Sequence, residues 1–200
     1  MSVSEPSFGF EVERKGQTVG LIHQVHGATI VEAGEGPAVD ADGVFTEKSG
    51  KTIFIFTADC LPVLFVSDRK VAAIHAGWRG AKLGIVRKTL ELFAKDGLLP
   101  KVILGPCLRN CCFEVKTDFI EEVSAERGDL SPFLEDRAGK KYFDLVSFVR
   151  DRELSGLSPE LIDITQARCT YCSKPTLPSY RRNRATDPRI KAWITGSVPQ

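Results

Sequence analysis

Residues 51–95 read KTIFIFTADCLPVLFVSDRKVAAIHAGWRGAKLGIVRKTLELFAK, three β-like runs followed by a helix-like one. Positions 51–57, 63–67 and 70–75 are strongly apolar and rich in β-branched and aromatic residues, the pattern of strands. From 81 to 95 the period changes. Ile85, Val86, Leu90 and Phe93 share one face while Lys82, Arg87, Lys88 and Glu91 point away, which predicts a helix packed on a sheet. Working outward, strands are expected at 18–23, 29–33, 43–46, 102–104, 161–164 and 189–195. Helices are expected at 118–126 and 145–154, the second preceded by Asp144 as an N-cap. The mix gives an α+β fold class, with helices covering the outer faces of sheets.

The chain has 200 residues, of which 42% are apolar and 26% charged, a composition that suits one domain over residues 1–200 with a proper core. Its 27 basic and 26 acidic side chains nearly cancel, so no global field draws it to nucleic acid or an anionic membrane; local positive charge remains in RKTLELFAK and SYRRNR. There is no internal repeat or low-complexity tract. The polar start MSVSEPSFGFEVERKG has no secretory apolar region, and no run reaches membrane-spanning length, so a cytoplasmic location is expected. In that reducing setting the six cysteines read as metal ligands, nucleophiles or small buried hydrophobes rather than disulfides. Nothing in the sequence sets an oligomeric state.

Three clusters carry the chemistry: QVHG at 24–27, TADC at 57–60 and IHAGWRG at 74–80. They put His26, Cys60 and His75 at the ends of β-like segments, beside glycine or proline. Singly, each has a bland reading, as a buried thiol or a histidine satisfied by a carbonyl. Together, two imidazoles and a thiolate suit zinc with a fourth position open. His23 competes with His26; His26 is favoured because Gly27 breaks the strand there and lets the side chain face a cleft. Asp40 and Asp42 in VDADGVF are either turn formers or proton handlers and supports for the site. Between the strand ending at His75 and the helix, Gly77, Arg79 and the free N–H groups of a helix start form an anion-friendly turn. Arg181 and Arg182 offer further cationic groups. Cys107, Cys111, Cys112, Cys169 and Cys172 are weighed as a separate cysteine-only zinc site, with Cys112 alternatively facing the cleft as a proton handler.

QVHG, DADG, TADC followed by LPV, AIHAGWRG, GPC with CCFEV, and RCT followed by SYRRN occur in that order over residues 24–183. This ordered set resembles the YfiH/YlmD-like family, long labelled multicopper polyphenol oxidase or laccase-domain proteins and now described as purine nucleoside phosphorylases. The resemblance implies a sandwich of mixed β-sheets flanked by helices, similar to cysteine-dependent toxin deamidases. It implies catalytic zinc on His26, Cys60 and His75, and phosphorolysis of adenosine, inosine, guanosine and methylthioadenosine with adenosine deamination in the same site. Purine nucleosides and phosphate are then the partners. Two departures stand out: no Asn-Arg pair occurs among the 23 residues before Gln24, and Asn183 follows SYRR where an acidic residue is usual. The phosphate contact of such a pair is then either missing or supplied by Arg181 or Arg182.

Two other classes compete. One is a metal-independent hydrolase or amidase with Cys60 as nucleophile and His75 as its base; the other is a zinc-stabilised binding module without activity. A multicopper oxidase is disfavoured, because three histidines in the whole chain are too few for a cluster built mainly of imidazoles.

Overall fold

The computed structural model describes residues 6–14, 21–34, 36–185 and 187–196. In chain order the strands are β1 (Ser7–Glu13), β2 (Ile30–Glu32), β3 (Gly43–Thr46), β4 (Thr52–Thr57), β5 (Leu61–Val66), β6 (Val71–Ala76), β7 (Lys101–Leu104), β8 (Glu114–Val115), β9 (Leu134–Arg137), β10 (Lys140–Phe143), β11 (Ile162–Asp163) and β12 (Arg189–Thr195). The helices are α1 (Trp78–Lys82), α2 (Ile85–Lys95), α3 (Thr117–Arg127), α4 (Leu145–Phe148) and α5 (Tyr180–Asn183).

A six-stranded mixed sheet, ordered β11-β7-β5-β6-β3-β2, forms the middle layer. Alternation along its central strands divides two cores. Val63 and Phe65 of β5 and Ala72 and Ile74 of β6 face Ile85, Val86 and Phe93 of α2 and Phe148 of α4. Leu64 and Ala73 face the other way, onto Ile53 and Ile55 of β4 and Ala192 and Ile194 of β12. Those two strands belong to the antiparallel sheet β1-β12-β4. The result is sheet on sheet with helices on the far side of the middle layer, an α+β sandwich in which every position of β6 is buried. His75 lies on that strand one residue from its end, so a polar ring is carried from the core to the rim.

Several expectations are corrected. The helix expected at 81–95 is two helices, because Gly84 takes a left-handed conformation (φ 76°) that ends α1 before α2 begins. Of the strand expected at 18–23, residues 18–20 lie outside the described residues, and 21–23 contribute a single bridge between His23 and Asp40. β1 falls in the polar start, where no strand is expected from the sequence. Its Phe8, Phe10 and Val12 alternate, and it pairs in register with β12 from Ser7↔Thr195 to Glu13↔Arg189. The small sheet β8-β10-β9 escapes notice because LEDR and KKYF carry charge on exposed strands; a two-residue turn with positive φ at Ala138 and Gly139 joins them. The 145–154 helix starts on the expected cap, with Asp144 Oδ1 accepting from Ser147 N–H at 3.1 Å, and widens into a π-turn over Val149–Glu153.

Candidate active site

The site begins with the loop at 24–27, which is fastened from two sides. Gln24 acts as a strand neighbour to β4: its amide nitrogen donates to Phe56 O (2.7 Å) and its amide oxygen accepts from Phe56 N–H (2.8 Å). On the other side the Asp42 carboxylate accepts from the N–H groups of Val25 (3.3 Å), His26 (2.9 Å) and Gly27 (2.6 Å). Those bonds hold His26 in a left-handed backbone conformation, φ 63°, of a kind costing about 1–3 kcal/mol for a non-glycine residue. The same carboxylate bonds His75 Nδ1 at 2.7 Å, leaving Nε2 as the ring nitrogen available for other work. Asp42 is fully buried. Burial alone would raise its pKa, but the His75 ring and the loop N–H groups outweigh that and keep it below the ordinary aspartate range.

Cys60 stands at the turn between β4 and β5, next to Asp59, which is also left-handed (φ 87°). The Asp59 carboxylate accepts from Thr170 Oγ1 (2.6 Å) and from Arg181 N–H (2.6 Å). It therefore ties TADC to the RCT and SYRRN segments, the physical reason these distant motifs meet. Gly77 completes the cradle: a Cβ there would lie 2.9 Å from Cys60 Sγ and 3.4 Å from His26 Cδ2. The ligand atoms of His26, Cys60 and His75 all lie within 4.8 Å of one another, and the two imidazoles meet edge-on with centroids 4.8 Å apart. Two nitrogens and a sulfur converging on one point beside a buried supporting carboxylate fit a zinc ion.

Burial is the largest influence on the Cys60 thiol and pushes it up, but the charge of His75 and hydrogen bonds from both histidines bring it down to about 6. Burial would likewise lower His75; Cys60 and Asp42 together lift it to about 9. A thiolate beside an imidazolium serves equally as a ligand pair or as a nucleophile with its base.

These groups open onto a cleft of ≈ 690 Å³, within the size range of small-molecule sites. Its lining includes the aromatic residues Phe56, Trp78, Phe113 and Tyr180 and the basic residues Arg181, Arg184 and Arg189. Arg189 stacks on Phe56 with its guanidinium carbon 4.3 Å from the ring centroid.

Not every candidate residue reaches the cleft. Asp40 is exposed and faces His23 at 3.6 Å, so neither lines it. Cys112 belongs with Cys111, Cys169 and Cys172, and Asp42 is sealed beneath the histidines, so none of the three groups weighed as proton handlers lines the cleft. Arg79 is exposed and stacks outward on Trp78 at 4.3 Å. Arg182 spends its guanidinium on the carbonyls of Thr170, Tyr171 and Leu177. Gly77 is buried against Cys60, so close approach is what its missing side chain permits. Sequence reading assigned no role to Arg184, Arg189 or Gln24. Arg184 lay inside the quoted SYRRNR run and Gln24 inside the quoted QVHG cluster; Arg189 carried no signal, since a charge opening a strand looks like a solvent-facing group.

Gly77→Ala is expected to force Sγ and the His26 ring apart, cutting bound metal well below one equivalent at this centre and costing about 1–3 kcal/mol of stability. Metal analysis and thermal unfolding of the same preparation check this.

A mixed-sheet sandwich with a histidine–cysteine–histidine centre gathered from one loop and two strand ends defines a recognisable class. The family model described as multi-copper polyphenol oxidoreductase laccase matches residues 8–196, and the chain belongs to that family, the YfiH/YlmD family. It is 32% identical over 165 residues to "Purine nucleoside phosphorylase" of Aquifex aeolicus, covering 80% of this chain and 73% of the relative. It is 33% identical over 177 residues to "Purine nucleoside phosphorylase YfiH" of Escherichia coli, covering 86% and 72%. The crystal structure of YlmD from Geobacillus stearothermophilus superposes with a TM-score of 0.80 at 24% identity, covering 96% of this chain and 92% of that one, a likeness of fold. The copper in the family description does not match the donor set: the chain has three histidines, and only two share the centre. Among the described residues no helix is long and apolar enough to cross a membrane.

Proposed function

We propose that this chain is a zinc-dependent purine nucleoside phosphorylase that acts on adenosine, inosine, guanosine and methylthioadenosine, with deamination of adenosine in the same cleft. The observation that carries the reading is the convergence of His26, Cys60 and His75 on a cleft lined by aromatic residues and three arginines. Aromatic faces suit a flat purine, and guanidiniums suit phosphate.

In phosphorolysis the bond from the ribose anomeric carbon to the purine nitrogen breaks and a bond from that carbon to a phosphate oxygen forms. The purine leaves with the electron pair and takes up a proton. Trp78, Phe113 and Tyr180 hold the base and exclude water, which fixes the anomeric carbon in front of the anion. Among the described residues neither the Arg184 nor the Arg189 guanidinium donates a hydrogen bond to the protein, so both are available to bind phosphate. Arg181 lines the same cleft but commits one nitrogen to Glu114 O at 2.9 Å. His26, Cys60 and His75 hold the metal, with Asp42 fixing the tautomer of His75 and the path of the His26 loop. Bound zinc supplies Lewis acidity and positive charge beside the reacting nucleoside.

Arg184→Met and Arg189→Met are expected to raise KM for phosphate about 10- to 100-fold each, the weight of a charge-assisted hydrogen bond or two. Initial rates against phosphate concentration with inosine check this. A second reading has its own support in the low-lying Cys60 thiol beside His75: a Cys-His hydrolase that needs no metal. Chelation separates the two. Base release from inosine in phosphate should vanish on metal removal and return with zinc; full activity in the stripped protein would favour the thiol mechanism instead.

A further inference from the structure

Outside the cleft, a second group of donors is assembled from two turns far apart in sequence. Cys111 and Cys112 come from the turn in which Cys112 N–H (2.9 Å) and Phe113 N–H (2.8 Å) both donate to Arg109 O. Cys169 and Cys172 form a Cys-x-x-Cys turn. The two turns are pinned by the backbone of Cys107, whose N–H donates to Arg168 O (3.0 Å) and whose O accepts from Thr170 N–H (2.9 Å). Cys107 thus contributes its backbone and stands apart from the thiol group.

All four sulfurs lie within 4.8 Å of one another, Cys111 and Cys172 at 3.5 Å. A tetrahedron with Zn–S bonds of about 2.3 Å has S–S edges of about 3.8 Å, so the set needs little movement to close on an ion.

Charge around the cluster has the matching sign. Four thiolates and a divalent ion leave a net charge of about −2. Four guanidiniums grip the turns and their flanks: Arg109 on Ala167 O, Arg137 on Asn110 O and Cys111 O, Arg181 on Cys112 O and Arg182 on Thr170 O and Tyr171 O. We propose that Cys111, Cys112, Cys169 and Cys172 bind a second, structural zinc ion that clamps these two turns. The four thiol protons pass to solvent as it binds. Because Arg181 and Phe113 lead from the clamp into the cleft wall, the ion braces the catalytic cavity without entering it.

The test uses full-length Cys60→Ala protein, reconstituted with zinc or cobalt without oxygen, so that the first centre is disabled. One equivalent of tightly held zinc is expected, against two in the parent. Cobalt should give the intense thiolate-to-metal charge-transfer absorption of a four-sulfur site. Adding Cys111→Ser or Cys172→Ser, both at exposed positions, should remove that band and the remaining zinc, and chelation should lower the melting temperature of Cys60→Ala protein by several degrees. If Cys60→Ala protein binds neither metal, the proposal is overturned, whether its five remaining thiols titrate free or a Cys111–Cys172 disulfide has taken two of them. Failure of the first centre gives a different pattern, with one equivalent in parent and Cys60→Ala protein alike.

Discussion

Cys60→Ala protein is expected to lose phosphorolysis by about 10³-fold or more while keeping its fold. The sulfur is the only thiolate among the three converging donors, and a Cβ on Gly77 would touch it, so the cradle is shaped around this one atom. Removing it leaves two imidazoles, a donor set too weak to hold zinc at this centre at cellular concentrations. Loss of a preorganised electrophilic centre removes several kcal/mol of transition-state stabilisation. Stability should change little, since Cys60 is partly exposed and the substitution deletes one atom at the cleft floor. Steady-state rates with inosine and phosphate, circular dichroism and zinc content on one preparation check it. Folded, one zinc equivalent short of the parent and inactive is the expected result.

Asp42→Asn is the second large effect, and it acts on both metal and fold. One carboxylate takes four hydrogen bonds, three from the loop at 25–27 and one from His75 Nδ1. An amide of the same shape presents an NH2 group to N–H donors on one side, so at least one buried donor is left opposed. Losing one partner of a buried charged pair costs about 3–5 kcal/mol, and disturbing the outer support of a histidine ligand typically weakens metal binding 10- to 100-fold. Asp42→Asn protein should therefore unfold at markedly lower denaturant and release zinc to a competing chelator far more readily. If Asp42 were only a turn former, stability would fall with metal affinity unchanged, and that combination would separate the two roles.

How much of this was legible in the sequence depended on which physical signal each residue carries. Strands such as Gly43–Thr46 and Arg189–Thr195 announce themselves because burial enforces apolar or β-branched side chains. The hairpin of Leu134–Arg137 and Lys140–Phe143 does not, since its exposed faces tolerate any charge that pairs across. Cys60 and His75 were readable because each sits where a strand gives way to a turn, and His26 because Gly27 marks a turn beside it, although the strand expected ahead of it is a single bridge. Asp42 was visible only as one of two aspartates in a turn; four donors from two distant chain segments single it out, and long-range hydrogen bonds leave no local pattern. The arginines divide on the same ground. Arg182 and Arg189 look alike in sequence, but one is consumed by backbone carbonyls and the other lies on Phe56 at the cleft. The four clustered cysteines carried a half-signal, a Cys-x-x-Cys turn without a matching partner, and the fold supplies the missing pair from residues about sixty positions earlier.

The most direct measurement is product analysis by chromatography after incubating zinc-replete protein with adenosine, with and without phosphate. Adenine and ribose 1-phosphate formed only when phosphate is present, alongside inosine from deamination, is the predicted result. Zinc-loaded protein that yields neither free base nor inosine would contradict the account.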